Sequence, residues 1–394
     1  MKKTKLYDSK TDCCGCGACA NICPKKIIEM APDEEGFLYP RITDTAMCIG
    51  CNKCDSVCPL KHSDEIDSTF TNAFAGWRMN GDIADSASGG AAYEISKWII
   101  ESGGIVYGVQ YSDDCKSAVY YRGESDSDIR KMRSSKYIQS RKNNIYQLIK
   151  KDLESGKRVL FVGMPCDTFA VKKYTEKIGE NLITVSLICH GPTSENVHRS
   201  FCEKLEKQYN SSVCDINVRY KKNSQWKPYY IYAKLKNGNE FLRKFQSTDY
   251  DAAFLLFKRP SCTDCHFKNN HYCADLLIGD FHNAQKGTDS YNEHGVSSLL
   301  PLTQSGNDVL NQIKDSFLLR EVELKRSVSQ RAVHSSAESV IDREEFADVL
   351  NKKGITAACK ISTVKREKRK KAKSRFVFKV KSIAYNILKR LKIV

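Results

Sequence analysis

Apolar residues in the middle of this chain keep two rhythms. Residues 159–162 and 184–188 are near-continuous apolar runs, and each ends in a sharp exit, Gly163-Met164-Pro165-Cys166 and Cys189-His190-Gly191-Pro192. A helical pattern with Ile145, Leu148, Ile149 and Leu153 on one face precedes the first run, and residues 168–177 read as a helix between the two. Continuous apolar strands alternating with amphipathic helices predict a parallel βαβ unit with both faces covered. In such sheets ligands sit beyond the carboxyl ends of the strands, where Cys166 and Cys189 fall.

The same reading places strands at 73–77, 105–111 and 117–121, and a helix with Ala91, Ile95, Trp98 and Ile99 on one face that stops at Gly103. Residues 213–245 change to strict alternation, with a hairpin turn at Asn237-Gly238. Strands at 275–281 and 295–300 follow, and from Ser305 onward the pattern is helical.

The N-terminal part has another organisation. Two runs, Cys13 to Pro24 and Cys48 to Pro59, each read C-x2-C-x2-C-x3-C-P. Three thiolates at this spacing wrap one iron-sulfur cube, and the fourth, ahead of the proline, ligates the other cube. Cross-ligation therefore assigns Cys13, Cys16, Cys19 and Cys58 to one 4Fe-4S cluster, and Cys48, Cys51, Cys54 and Cys23 to the second. Zinc also takes CxxC pairs, but a duplicated four-cysteine run is not its signature. Cys14 reads as a bystander, because adjacent side chains diverge. Residues 1–60 form this domain, with 61–72 as a polar linker.

Composition changes the picture in two places. Eighteen cysteines in 394 residues, with no apolar leader pattern at the start, point to a reducing cytoplasm and metal binding instead of disulfides. The net charge of +16 suggests nucleic acid until it is located: residues 360–394 carry a net +13, which leaves +3 for the rest. No specific nucleic-acid partner is expected. Residues 365–373 read as a disordered charge run. From Phe376, apolar residues at helical spacing oppose Lys379, Lys381, Lys389, Arg390 and Lys392, a pattern that suits either an anionic membrane surface or a protein partner. No run approaches the ~18 apolar residues of a membrane span, so the expected location is cytoplasmic, with peripheral association at the inner face of the membrane.

Outside the repeats, Cys166, Cys189, Cys262 and Cys265 supply the ligand count for a third 4Fe-4S cluster if they converge; Cys273 is a substitute ligand, and inert buried cysteine is the alternative. Cys115, Cys202, Cys214 and Cys359 read as structural. His190, beside a proposed ligand, is a candidate acid or base, and Asp280, at a strand end, a candidate for ribityl hydroxyls or a cap. Ser88-Gly89-Gly90 before a helix suits either a phosphate or a plain N-cap.

Taken in order, Ser88-Gly89-Gly90, Ser135-Lys136-Tyr137, Val162-Gly163-Met164-Pro165-Cys166, Cys189-His190-Gly191, Cys262-x2-Cys265 and Ile278-Gly279-Asp280-Phe281 resemble the beta subunit of the coenzyme F-420 hydrogenases and dehydrogenases. The resemblance spans roughly residues 70–303. It implies an iron-sulfur flavoprotein with FAD, with Ser88, Gly89, Gly90, Lys136 and Tyr137 as flavin contacts; some similar bacterial proteins with a fused two-cluster domain occur among polysaccharide-biosynthesis proteins.

The fold expected is α+β or α/β: a small ferredoxin-like domain with two 4Fe-4S clusters, then a mixed α/β flavin- and cluster-binding domain over 73–303, a helical part over 304–359, and a basic tail over 360–394. The function expected is an oxidoreductase. A ferredoxin or another one-electron donor loads the clusters, and a reduced flavin delivers a hydride to a small organic substrate or a deazaflavin. The alternatives are a non-catalytic electron-transfer subunit of a larger redox complex and, further off, a nucleic-acid-binding iron-sulfur protein.

Overall fold

The computed structural model describes residues 5–79, 83–370 and 372–374. At its centre is a nine-stranded mixed sheet. Across it run Phe317–Glu321, Phe74–Arg78, Ser297–Pro301, Leu276–Asp280, Leu182–Leu187, Val159–Gly163, Ile105–Tyr111, Ala118–Gly123 and Ser140–Arg141. The four strands from Leu276–Asp280 to Ile105–Tyr111 are parallel to one another. Antiparallel strands flank them on both sides.

The apolar runs explain the parallel centre. Val159 and Phe161 pack on one face against Ile145, Tyr146, Ile149 and Ala170, while Leu160 packs on the other against Ala91, Ile95 and Ile99. A strand covered on both faces has no solvent side and so no polar alternation. The alternating region forms a separate antiparallel sheet of Val213–Tyr220, Tyr230–Leu235 and Glu240–Lys244. Gly238, with φ of 86°, makes the hairpin turn that the Asn237-Gly238 pair predicts.

Four sequence expectations change. The helix after the first exit begins at Pro165, not at residue 168, so Cys166 lies in its first turn; proline is well suited to that position because its missing N–H has no intrahelical role there. Residues 61–72 are not a loose linker: Ile66 is buried, Ser63 Oγ shares a 2.7 Å hydrogen bond with His266 Nδ1, and Ser68 N donates to Asn270 O at 2.7 Å. Beyond residue 303 the chain is not all helical, because Phe317–Glu321 returns to pair with Phe74–Arg78 as an edge strand. Residues 362–370 are helical instead of disordered. Ile361 and Val364 bury in the core with Phe346 and Leu350, which offsets the cost of ordering a charge run. The amphipathic stretch from Phe376 lies outside the described residues. No helix among the described residues is long and apolar enough to cross a membrane.

The cysteine repeats flank a hairpin, Ile28–Pro32 with Leu38–Ile42, that sequence reading passed over. Phe37 and Tyr39 of this hairpin bury against the body, Phe37 with its ring centroid 5.8 Å from that of Phe257. Arg343, on the helix Arg343–Lys353, grips Glu35 through both carboxylate oxygens and donates to Lys258 O at 2.8 Å. The C-terminal helices thus clamp the cluster domain onto the sheet.

Behind the sheet, His198 of the helix Glu195–Tyr209 is fully buried. Burial holds its pKa down to about 4, so the ring is neutral. Its Nε2–H donates to Cys115 O at 2.8 Å, and its Nδ1 accepts from Tyr250 Oη at 3.0 Å. An unfolded chain binds a proton near pH 6.5 that the folded chain refuses until about pH 4. The stability this group contributes is therefore present above pH 6.5 and lost as pH falls through that window, on the order of 3 kcal/mol in all. Urea unfolding of wild-type protein and His198→Gln between pH 7 and pH 4 should show this loss in the wild type and a flatter dependence in the variant.

Candidate functional site

The two cysteine repeats share one local conformation. Gly15 and Gly50 sit at equivalent places with φ of 69° and 65°, and Gly17 and Asn52 follow with φ of 78° and 54°. Glycine and asparagine enter this left-handed region most readily. Each turn then opens a short helix, Ala18–Ile22 and Lys53–Ser56, which carries the third cysteine of its run.

Cys23, Cys48, Cys51 and Cys54 line one pocket, the set that cross-ligation assigns to the second cluster. Cys13, Cys16, Cys19 and Cys58 form the other neighbourhood. Burial, then Cys14 and Cys58, push Cys13 up to about 11 against the pull of Arg259. Cys19 is raised by burial and by Cys13 and Cys58, and Cys16 by a hydrogen bond to Cys14, by burial and by Cys19. Gathered, buried thiols resist ionisation, and a bound metal reverses that because coordination deprotonates them. Among the described residues no three His, Cys, Asp or Glu side chains converge on a point that would hold a single metal ion; the thiols ring pockets instead.

A further pocket lies at the carboxyl ends of the parallel strands. It is lined by Cys166, Cys189, Cys262 and Cys265, the four expected to converge, together with Cys14, His190 and Arg259. Gly191 N donates to Cys189 Sγ at 3.2 Å. Gly191 has φ of 85°, and a Cβ there would lie 3.0 Å from Cys262 Sγ, so only glycine leaves room beside the thiol. Lys258 Nζ donates to Gly191 O and Lys268 Nζ to Cys189 O, which places two cations beside the pocket. Burial, then Cys189 and Cys265, push Cys262 up to about 12.

Cys14, read as a bystander to the clusters, lines this pocket, and thiol hydrogen bonds from Cys16 and Cys166 hold its pKa well below the usual range. It brings the first repeat to the wall of this pocket. Cys273 packs in the adjoining apolar cluster with Ile66, Phe169 and Phe267, which Cys166 and Cys265 also join. Cys115, Cys202 and Cys359 are buried, and Cys214 is exposed on the small sheet. Burial, with Lys258 and Lys268, brings His190 down to about 4, so it lines the pocket as a neutral ring.

Of the residues expected at a flavin site, Tyr137 and Asp280 meet at one arginine. Arg219, in the strand Val213–Tyr220, donates through Nη1 to Tyr137 Oη at 2.8 Å and through Nη2 to Ala87 O at 3.0 Å and Asp280 Oδ2 at 2.8 Å. Its Nε is buried with no hydrogen-bond partner among the described residues. Burial alone would raise Asp280, but Arg219 outweighs it and keeps the carboxyl below its ordinary range. Tyr137 stacks on Phe254 with ring centroids 4.1 Å apart.

Ser88 is not the N-cap. Gly90 takes that place with φ of 90°, and Ser88 Oγ donates to Val296 O at 2.6 Å. Gly89 is required by packing, since a Cβ would lie 2.3 Å from Gly76 O. Lys136 Nζ reaches the carbonyls of Lys131, Arg133 and Ser134, and burial lowers its pKa to about 7. Arg219, Arg259 and the role of Cys14 escaped sequence reading, because no spacing ties them to the loops they join.

Comparison with known families now decides the class. Residues 156–327 match the family model for the C terminus of the coenzyme F420 hydrogenase/dehydrogenase beta subunit, and residues 12–62 match that of the 4Fe-4S dicluster domain. The chain joins a 4Fe-4S dicluster domain to a domain of the coenzyme F420 hydrogenase/dehydrogenase beta-subunit family. It is an iron-sulfur protein of a redox family, and its beta-subunit domain carries Cys166, Cys189, Cys262 and Cys265. Among solved structures, a chain of the F420-reducing [NiFe] hydrogenase complex from Methanosarcina barkeri, in a xenon-derivatized form, is similar at 18% identity over 68% of this chain and 89% of that one, with a TM-score of 0.46. No curated protein matches.

The Arg219–Asp280 pair in the beta-subunit domain is buried on both sides. Arg219→Met should therefore lower the unfolding free energy by about 3–5 kcal/mol, because it strands a carboxylate without its partner. The double variant with Asp280→Asn should recover part of that loss in denaturant titrations.

Proposed function

We propose that this protein is an oxidoreductase that relays single electrons from a ferredoxin-like donor to a flavin, FAD, which exchanges them with a small organic substrate or a deazaflavin. The observation that carries the reading is the pocket in which Cys166, Cys189, Cys262 and Cys265 meet Cys14 of the first repeat. Clusters carry one electron at a time, whereas a flavin collects two and releases them together.

The chain's own residues support three cluster sites in series. Cys48, Cys51, Cys54 and Cys23 would hold the cluster nearest solvent, since Cys51 is exposed. Cys13, Cys16, Cys19 and Cys58 would hold the next, and the four cysteines of the beta-subunit domain the third. Gly191 N–H and the amines of Lys258 and Lys268 favour negative charge at that third site.

The donor set around Arg219 suits a group that is anionic and rich in hydroxyls. Arg219 and Lys136 would attract phosphate, and Asp280 would accept from a hydroxyl. In this reading Tyr137 and Ser88 shape the walls of the flavin site, and His190, held at a pKa of about 4, is too weak a base near pH 7 to take a proton from substrate.

Anaerobic purification followed by iron, acid-labile sulfide and flavin quantitation tests the reading. About twelve irons and one FAD per chain are expected, four irons for each cluster. Cys166→Ser and Cys262→Ser should each bring iron down to about eight and uncouple flavin reduction from the dicluster domain. Unchanged iron in both variants would remove the third cluster from the scheme.

The helix at 362–370 exposes Lys365, Arg366, Arg369 and Lys370, and this cationic face supports peripheral attachment to an anionic membrane. Co-sedimentation with phosphatidylserine vesicles should fall at least tenfold when Lys365, Arg366, Arg369 and Lys370 are all replaced by serine, and binding of the wild-type chain should fall between 0.1 M and 0.5 M salt.

A further inference from the structure

One fully buried cation joins the two halves of the molecule. Arg259 is 1% exposed. Its backbone belongs to the pocket in the beta-subunit domain: Arg259 N donates to Pro192 O at 3.1 Å, beside Cys189, and Arg259 O accepts from Cys262 N at 3.0 Å. Its side chain belongs to the first repeat. Nε donates to Cys13 O at 2.9 Å, and Nη1 donates to Gln139 Oε1 at 3.0 Å. Gln139 Nε2 in turn donates to Gly15 O at 3.1 Å.

Gly15 lets this arrangement close. A Cβ on it would lie 2.8 Å from the Arg259 guanidinium carbon and 2.1 Å from Gln139 Nε2. The guanidinium lies 4.1 Å from the centroid of the Tyr39 ring, which shields one side of it from water. Its remaining nitrogen, Nη2, is buried with no hydrogen-bond partner among the described residues. Arg259 also lines the pocket of Cys14, Cys166, Cys189, Cys262 and Cys265. Stability alone does not account for a buried donor left unused, because its desolvation is costly.

We propose that Arg259 is a potential-setting residue shared by the first cluster site, Cys13, Cys16, Cys19 and Cys58, and the site in the beta-subunit domain. This rests on the three-cluster reading above. In the transfer concerned, one electron leaves the first site as one arrives at the other, with no proton or ligand exchanged. Both sites gain negative charge on reduction. A guanidinium keeps its positive charge on burial, and in a low-dielectric setting that charge favours the reduced state of each neighbour. Because the same cation touches both sides, the electron remains near a positive charge wherever it resides. Nη2, buried and unpaired, would be the N–H available to sulfur at the site in the beta-subunit domain, a contact that raises cluster potentials further.

The test is an EPR-monitored redox titration of the anaerobically purified full chain, with dithionite as reductant, for wild type, Arg259→Met, Arg259→Lys and Gln139→Leu. In Arg259→Met, the signals of the two sites beside Arg259 should move to lower potential by at least a tenfold change in reduced-to-oxidised ratio, equivalent to 59 mV for one electron. The cluster of Cys48, Cys51, Cys54 and Cys23 should stay in place, because its pocket is lined by Lys25 and Lys53 and not by Arg259. Arg259→Lys should recover most of the shift, and Gln139→Leu, which keeps the charge, should move neither signal.

If about twelve irons are retained and the two signals stay in place in Arg259→Met, or if all three shift equally, the proposal is wrong while the three-cluster reading stands. Wild-type protein with about eight irons would overturn both. If Arg259→Met loses iron, Arg259→Lys decides: potentials that fall by 59 mV or more, a tenfold change in ratio, despite the retained charge would overturn the proposal.

Discussion

Loops that wrap an inorganic cluster have little apolar surface with which to fold, so something else must hold them, and here the body of the protein does. Cys14, Cys16 and Ala18 of the first repeat are buried in a core that also contains Tyr107, Tyr146 and Phe161. Tyr146 Oη donates to Cys16 O at 2.9 Å, and the hairpin between the repeats packs Phe37 and Tyr39 against Phe257 and Phe346. The dicluster domain is therefore one side of a shared core and not an appended module. The position of every thiol in the first repeat, relative to those in the sheet, follows from that packing.

The same packing gathers sulfur, and gathered sulfur needs positive charge. Thiols this buried resist ionisation, as the upward shifts of Cys13, Cys19 and Cys262 show. The chain answers with cations placed by backbone carbonyls. Lys258 and Lys268 are held by Gly191 O and Cys189 O, and Arg259 by Cys13 O. Around Arg219 the logic is repeated, with Asp280 and Tyr137 tethered to one guanidinium. Buried charge is costly, and removing one partner strands the other, which makes both regions sensitive to single substitutions.

The two cysteine repeats separate local from global causes. Their backbones match, with left-handed residues at Gly15 and Gly17 in one and at Gly50 and Asn52 in the other. Their surroundings do not: Cys16 is buried under Tyr146 and Tyr107, whereas Cys51 is exposed. Gly15 has Gln139 and Arg259 within van der Waals distance of a Cβ, and Gly50 has nothing within 4 Å. The second repeat lies toward solvent and the first toward the sheet. Nothing in either repeat's spacing distinguishes these fates.

Read by itself, the sequence determined whatever depends on neighbours along the chain. The cysteine spacing specifies a duplicated dicluster motif, the continuous apolar runs specify a parallel sheet covered on both faces, and Asn237-Gly238 specifies a hairpin, because bond geometry and side-chain period act over a few residues. Cys166 and Cys189 were legible together, since strand ends of one parallel sheet share an edge, and the CxxC of Cys262 and Cys265 completed the ligand count. Only the tertiary structure decided that Cys14 faces Cys166, that Arg259 reaches Cys13 O, that Arg219 ties the Tyr137 and Ser88 loops together, and that the segment 61–72 packs down instead of swinging free. These contacts join residues 82 to 246 positions apart. Their partners are chosen by the shape of a packed interior, which no local pattern of hydrophobic and polar residues encodes.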